Sequence, residues 1–185
     1  MKLPQTFKRT FGRRRVDFSE IRSSLWSPAP EEPNSISLQN QNLILEQYKI
    51  YVEMADRVSA RRGLANTFFL TLNTAAASIG GWFNTSLQGQ TRSTLALLLF
   101  VLLVQTAGWY ATLRSYRQLN SAKFRVIGAL EERLPASPYW RAEWKALKGG
   151  ADKGLYWPMT RLEQWVPIAF SIAYIILFVT TLTGR

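Results

Sequence analysis

The sequence contains no cysteine and no histidine among its 185 residues. Disulfide bonds are therefore impossible, and the common zinc sites, which use cysteine or histidine ligands, are excluded. The same absence removes the Cys-His and Ser-His-Asp arrangements of nucleophilic catalysis. Only oxygen ligands remain for a metal ion. We therefore predict no catalytic, cofactor-binding or metal-binding residues, and no enzyme activity.

Acidic residues are also few, 12 against 23 basic ones. Two pairs are candidates for acid-base chemistry, Glu53 with Asp56 and Glu131 with Glu132. Arg57 and Arg61 follow the first pair within a turn or two of helix, which favours surface ion pairs. Adjacent helical residues point in different directions, so Glu131 and Glu132 are not expected to act together.

Charged residues are missing from three long stretches, residues 63–91, 93–113 and 164–184. A helix crosses the hydrocarbon core with about 20 mostly apolar residues. The pattern predicts an all-α integral membrane protein with about three transmembrane helices, at residues 64–83, 93–113 and 166–183. The first is the least apolar, so a chain that crosses only twice is the alternative.

Helical periodicity continues beyond the apolar stretches and predicts long cytoplasmic helical extensions. One is a helix at residues 39–63, and the other is a helical region at residues 114–165. Residues 84–92 form a short external loop in this interpretation. Aromatic residues at 139–157 either lie in the headgroup layer or cap the cytoplasmic helix pair.

Residues 1–38 are predicted to be a basic, largely disordered cytoplasmic tail. Arg13, Arg14 and Arg15 are candidates for contact with anionic lipid, because basic residues near such a surface each contribute about 1 kcal/mol. A solvated tail without a partner is the alternative, and nucleic acid is not expected as a partner.

The first apolar segment carries polar side chains that are costly to expose to lipid. We predict that they form a helix-packing or oligomer seam, since membrane helices associate through small residues and interhelical hydrogen bonds. A pore lining is the alternative. The residues concerned are Asn66, Thr67, Thr71, Asn73, Thr74 and Ser78.

The basic residues are distributed asymmetrically around the apolar segments. Eleven precede the first segment and ten lie between the second and the third, with one in each remaining part. Basic residues concentrate on the cytoplasmic side of membrane proteins. We therefore expect a multi-pass protein of the bacterial inner membrane with its N-terminus and middle region in the cytoplasm.

Several short motifs resemble the RipA family of octameric bacterial inner-membrane proteins. They are residues 45–56 (LEQYKIYVEMAD), 61–62 (RR), 65–73 (ANTFFLTLN) and 115–124 (SYRQLNSAKF), followed by Val126, Ile127, Leu130, Glu131, Leu134, Pro135, Glu143, Trp144, Glu163 and Pro167. The resemblance covers about residues 42–175 and carries no catalytic residue. It implies a homo-octamer linked to growth of a pathogen inside host cells and to envelope homeostasis.

Two functions are compatible with these features. The first is a homo-oligomeric membrane protein with a scaffolding or regulatory role, whose partners are further copies of itself, membrane lipids and a client that the sequence does not identify. The alternative is a pore-forming or membrane-perturbing effector, similar to the SLATT proteins of bacterial conflict systems. The polar first segment favours this alternative, whereas the lack of charge inside every apolar segment counts against one common selectivity device.

Overall fold

The computed structural model describes residues 18–26, 38–82, 91–148 and 159–183 of the chain. Within these ranges the regular structure is entirely helical. The helices are α1 (Phe18–Leu25), α2 (Leu38–Trp82), α3 (Arg92–Glu131), α4 and α5 (Met159–Thr183). Helix α4 is a π-helical segment, Pro138–Glu143, that continues into one short α-helical turn, Trp144–Ala146.

Helix α2 runs without a break through the predicted boundary between its cytoplasmic and membrane segments. Gly63 lies at this boundary and has open space where a Cβ would be. At about 1.5 Å per residue the helix is about 68 Å long, roughly twice the thickness of a hydrocarbon core. Helix α3 is similarly long and is capped at its N-terminus by Thr91, whose side chain accepts a hydrogen bond from the backbone N–H of Thr94 at 3.3 Å.

Helix α3 is the central element of the fold and packs against α1, α2, α4 and α5. Contacts between α2 and α3 run antiparallel, from Tyr48 with Glu131 to Asn66 with Trp109. Helices α3 and α5 are antiparallel as well, so α2 and α5 run in the same direction. The three long helices therefore form a bundle in which α2, α3 and α5 contact one another.

In the part of the chain that the structure describes, two helices are long and apolar enough to cross a membrane, Arg92–Glu131 and the Leu162–Thr183 part of α5. The sequence predicted about three transmembrane helices. The membrane segment predicted in α2 falls short on composition, because its threonine, asparagine and serine residues interrupt its apolar side chains.

Part of the predicted disordered tail is helical. Helix α1 (Phe18–Leu25) packs against α3, and the guanidinium of Arg133 lies 3.5 Å from the centre of the Trp26 ring. Arg22 forms an ion pair with Glu132. The isolated segment is too short to be a stable helix in water, so these contacts explain why it is ordered. The rest of the tail, including Arg13, Arg14 and Arg15, lies outside the described residues.

Candidate functional site

Two polar contacts between helices lie at the boundary between the charged and the apolar segments of the bundle. Arg62 Nε of α2 lies 3.3 Å from Glu163 Oε2 of α5, and both side chains are largely buried. Arg117 of α3 donates a hydrogen bond to Gln164 of α5 at 3.0 Å. These contacts hold all three helices at the level where their charged segments give way to apolar ones.

Immediately inside this level, aromatic rings fill the space between the helices. The indole of Trp109 is fully buried and donates to Asn66 Oδ1 at 3.1 Å. It stacks on Phe69, with ring centroids 5.9 Å apart and planes 11° apart. Phe170 of α5 packs against the same indole at 5.9 Å. A single tryptophan of α3 thus contacts both neighbouring helices.

Farther along the bundle, Asn73 connects α2 to α5. Its side chain is 0% exposed, and its amide nitrogen donates to the carbonyl of Phe69 at 2.7 Å. The hydroxyl of Tyr174 donates to Asn73 Oδ1 at 2.9 Å. Every polar atom of the Asn73 side chain therefore has a partner. We name the group Asn66, Phe69, Asn73, Trp109, Phe170 and Tyr174 the aromatic seam.

The polar residues that the sequence analysis grouped together separate into two sets. Asn66 and Asn73 belong to the aromatic seam inside the subunit. The remaining four side chains are exposed on the surface of the single chain. We name this second set the hydroxyl face of α2: Thr67, Thr71, Thr74 and Ser78.

The sequence matches one protein family over most of its length, residues 45–183, and that family is described as the octameric membrane protein family, 8xMP. The chain belongs to the octameric membrane protein family. The match covers α2, α3, α4 and α5 except for the first seven residues of α2, and it leaves α1 outside. No curated protein and no solved structure matches the chain.

A buried carboxylate lies where the start of α2 meets the end of α3. Glu131 is 1% exposed and accepts hydrogen bonds on both oxygens. Oε1 accepts from the Tyr48 hydroxyl and the Tyr139 backbone N–H, both at 3.1 Å. Oε2 accepts from the Ser137 hydroxyl at 2.6 Å and the Trp140 backbone N–H at 2.9 Å. We name Glu131 with these four donors the distal clasp.

The distal clasp changes the ionisation of Tyr48. Burial raises the pKa of the Tyr48 phenol above its ordinary value, and the hydrogen bond to Glu131 and the charge of that carboxylate raise it further. A phenol that donates to a carboxylate resists losing its proton. The clasp therefore keeps Tyr48 as a neutral donor between α2 and α3.

The aromatic residues of α4 pack against the C-terminal part of α3. The Trp140 ring lies so close to Gly128 that a Cβ there would come within 2.7 Å of it. Gly128 is 15 residues beyond Leu113, the predicted end of the second transmembrane helix, which corresponds to about 22 Å along α3. For the described part of the aromatic segment this contact favours the predicted position against the cytoplasmic helices, while Tyr156 and Trp157 lie outside the described residues.

Sequence reasoning missed most of the aromatic seam and the whole distal clasp. Trp109 and Tyr174 are not among the candidate residues that the sequence pattern singles out. Glu131 was weighed for acid-base chemistry with Glu132 and named in the family resemblance, and neither interpretation predicts its hydrogen bonds. The sequence does contain a signal for Glu131. This acidic residue ends an apolar helical stripe and is followed by Leu134 and Pro135, a position from which a carboxylate can bind the N–H groups of the following turn.

Proposed function

We propose that the chain forms a homo-octamer in the bacterial inner membrane and has a scaffolding or regulatory role there. The observation that carries this proposal is the match to the octameric membrane protein family over residues 45–183. The long helices beyond the membrane segments support it, because they provide a platform that a client protein or neighbouring subunits can contact. The resemblance to RipA proteins supports a role in envelope homeostasis.

The proposal includes a third transmembrane segment, the Leu64–Trp82 half of α2. Asn66 and Phe69 contact Trp109, and Asn73 binds Tyr174, which lies well inside the apolar part of α5. If α3 and α5 cross the bilayer, the α2 residues beside them lie at the same depth. Its low hydropathy is compatible with this position, because both side-chain polar atoms of Asn73 and the side-chain oxygen of Asn66 have partners within the subunit.

The distribution of charge supports a cytoplasmic N-terminus. The charged halves of α2 and α3 and the distal clasp then lie on the cytoplasmic side, where basic residues concentrate. The proposed arrangement is a membrane bundle of three helices per subunit beneath a cytoplasmic layer of paired helices.

The test is the mass of the full-length protein in lipid nanodiscs, measured by native mass spectrometry or mass photometry. We expect eight copies of the 21.1 kDa chain. A monomer at all protein concentrations and in several lipid compositions would refute the proposal. Co-purification with envelope proteins after in vivo crosslinking tests the scaffolding role separately, and loss of every specific partner would contradict it.

A pore is the second candidate function, and the exposed hydroxyl face of α2 favours it. A ring of eight such faces around a central axis would line a polar path. Conductance across planar bilayers, or dye leakage from vesicles containing the purified octamer, tests this directly.

A further inference from the structure

We propose that the hydroxyl face of α2 packs against a second copy of the chain and forms the subunit contact within the membrane. The inference rests on the proposed octamer and deepens it, because it identifies which surface of the subunit is used. Three observations support it: the position of the face on α2, the hydrogen bonding of its hydroxyls, and its contrast with the neighbouring apolar surfaces.

The hydroxyl face of α2 is turned away from the subunit's own core. Residues advance by about 100° around a helix, so Thr67, Thr71 and Thr74 lie roughly 130° around α2 from Asn66, Phe69 and Asn73. All four side chains of the hydroxyl face are exposed in the single chain. Nothing in the described part of the subunit covers them.

The hydroxyl groups of this face differ in their hydrogen bonding from those of other threonines in the chain. Thr106, Thr112 and Thr181 each donate their hydroxyl to a carbonyl of their own helix. In the described part of the chain, the hydroxyls of Thr67, Thr71 and Thr74 make no such bond, and only Ser78 does, to the carbonyl of Thr74 at 2.8 Å. A polar group without a partner in hydrocarbon is costly, so these hydroxyls favour a surface that can pair with them.

The other outer surfaces of the subunit are apolar and can face lipid. Phe100 and Val104 of α3 are 63% and 55% exposed, and Ile176 of α5 is 57% exposed. On α2, Phe68 is 61% exposed but lies about 60–120° from the three threonines. The hydroxyl face is therefore a polar strip within an otherwise apolar membrane surface.

The occupant is a second copy because the chain belongs to a family of octamers. Each subunit of an octamer needs a surface for its neighbours, and threonine and serine allow close approach of helices together with interhelical hydrogen bonds. Lipid and a water-filled lumen are the other possible surroundings of this face, and the experiment distinguishes all three.

The experiment uses the native absence of cysteine, which allows single-cysteine variants without background labelling. Thr71→Cys and Thr74→Cys carry a nitroxide spin label at sub-stoichiometric occupancy, and Val104→Cys and Ile176→Cys are matched controls on exposed apolar surfaces. Collision with oxygen reports lipid, and collision with a soluble nickel chelate reports water. In nanodiscs we expect low accessibility to both at Thr71 and Thr74, and high oxygen accessibility at the controls.

High oxygen accessibility at Thr71 and Thr74 in an intact octamer would overturn the inference in favour of lipid. High nickel accessibility would overturn it in favour of a water-filled lumen. The mass of each labelled sample is measured in parallel. A monomer with native helix content in every variant and in the unmodified protein would instead refute the octamer itself, so the two failures are distinguishable.

A second pair of variants tests the contact without a label. Thr71→Leu with Thr74→Leu adds bulk to the face, and we expect loss of octamer at a lower detergent concentration than for the native chain. Thr71→Ala with Thr74→Ala should retain the octamer, and Val101→Leu with Val104→Leu on α3 is the control for added bulk. Native octamer stability in the double leucine variant of α2 would contradict the inference.

Discussion

Gly128 lies directly beneath the indole of Trp140, and three ring atoms would lie within 2.9 Å of a Cβ at this position. Gly128→Ala should therefore displace Trp140 and lower the stability of the α3–α4 contact, by about 1–3 kcal/mol, as expected for overpacking. Gly108→Ala is the matched control, because nothing lies within 4 Å of a Cβ there. Thermal unfolding followed by tryptophan fluorescence measures the difference, and an equal effect of the two substitutions would refute the packing argument.

Glu131 accepts four hydrogen bonds, whereas a glutamine side chain has only one acceptor oxygen. Glu131→Gln should leave buried donors of the distal clasp without partners, at a cost of about 1–3 kcal/mol. Glu132→Gln is the neighbouring control, since it removes only a surface ion pair with Arg22 and should cost about 0–1 kcal/mol. Similar melting temperatures for the two variants would show that the clasp contributes little.

Tyr48 provides a pH-dependent test of the same clasp. Its pKa is raised in the folded protein, so its contribution to stability is complete below the ordinary tyrosine pKa of about 10 and is lost as the pH rises beyond it. The melting temperature of the native protein should therefore fall more steeply between about pH 9 and pH 11 than that of Tyr48→Phe. Equal slopes for the native protein and Tyr48→Phe would contradict the assignment.

Single residues also show where sequence reasoning reaches its limit. The polar character of Asn66, Thr71 and Asn73 was visible in the sequence, and so was its cost in a membrane. Which of them points into the subunit depends on the register between α2 and the other two helices. That register is set by Trp109 and Tyr174, which are 43 and 101 residues away from their partners, and such distant pairings leave no periodic pattern.

At the scale of elements, the asparagine and tyrosine that connect α2 to α5 can be tested as a pair. Asn73→Ala and Tyr174→Phe each remove one partner of the 2.9 Å hydrogen bond. In a double-mutant cycle we expect a coupling energy of about 0.6 kcal/mol and at most about 1.7 kcal/mol, the range found for hydrogen bonds between membrane helices. Unfolding in mixed detergent measures each variant.

The cycle has an internal control on the same two helices. Ser78 and Thr180 have no hydrogen bond with each other, and each donates instead within its own helix. A cycle with Ser78→Ala and Thr180→Ala should therefore give no coupling energy within error. A zero coupling energy for Asn73 and Tyr174 as well would indicate that α5 is held mainly by the packing of Phe170 and Trp109.

The long helices were predictable because their signals are local. Apolar periodicity and the absence of charge predicted helices at residues 39–63, 64–83 and 93–113 and a helical region at residues 114–165. The structure has α2 at Leu38–Trp82 and α3 at Arg92–Glu131. Helix α1 was missed because the contacts that order it, of Arg22 with Glu132 and of Trp26 with Arg133, join it to residues just after α3, more than 100 residues later. Short segments ordered by tertiary contacts carry little signal of their own.

At the scale of the whole molecule, the number of membrane segments depends on context rather than on composition alone. Helices α3 and α5 qualify by hydropathy, whereas residues 64–82 of α2 do not. A polar segment can lie in the bilayer when other groups bind its polar atoms. The third transmembrane segment that we propose has such contacts, since Trp109 of α3 donates to Asn66 and Tyr174 of α5 donates to Asn73. Hydropathy counts each segment separately and cannot include this effect.

Orientation across the membrane gives the last prediction. Basic residues crowd before residue 63 and between α3 and α5, and the proposed topology therefore has both regions in the cytoplasm. In right-side-out spheroplasts, Gln88→Cys should react with an impermeant maleimide and Gln118→Cys, exposed on α3, should react only after permeabilisation. Because the native chain has no cysteine, any labelling comes from the introduced residue.

Reaction of both variants without permeabilisation would mean that the membrane is leaky or that α3 does not cross it, and the reverse pattern would invert the topology. If both variants are protected until permeabilisation, α3 does not cross the bilayer, and the three-segment arrangement is wrong.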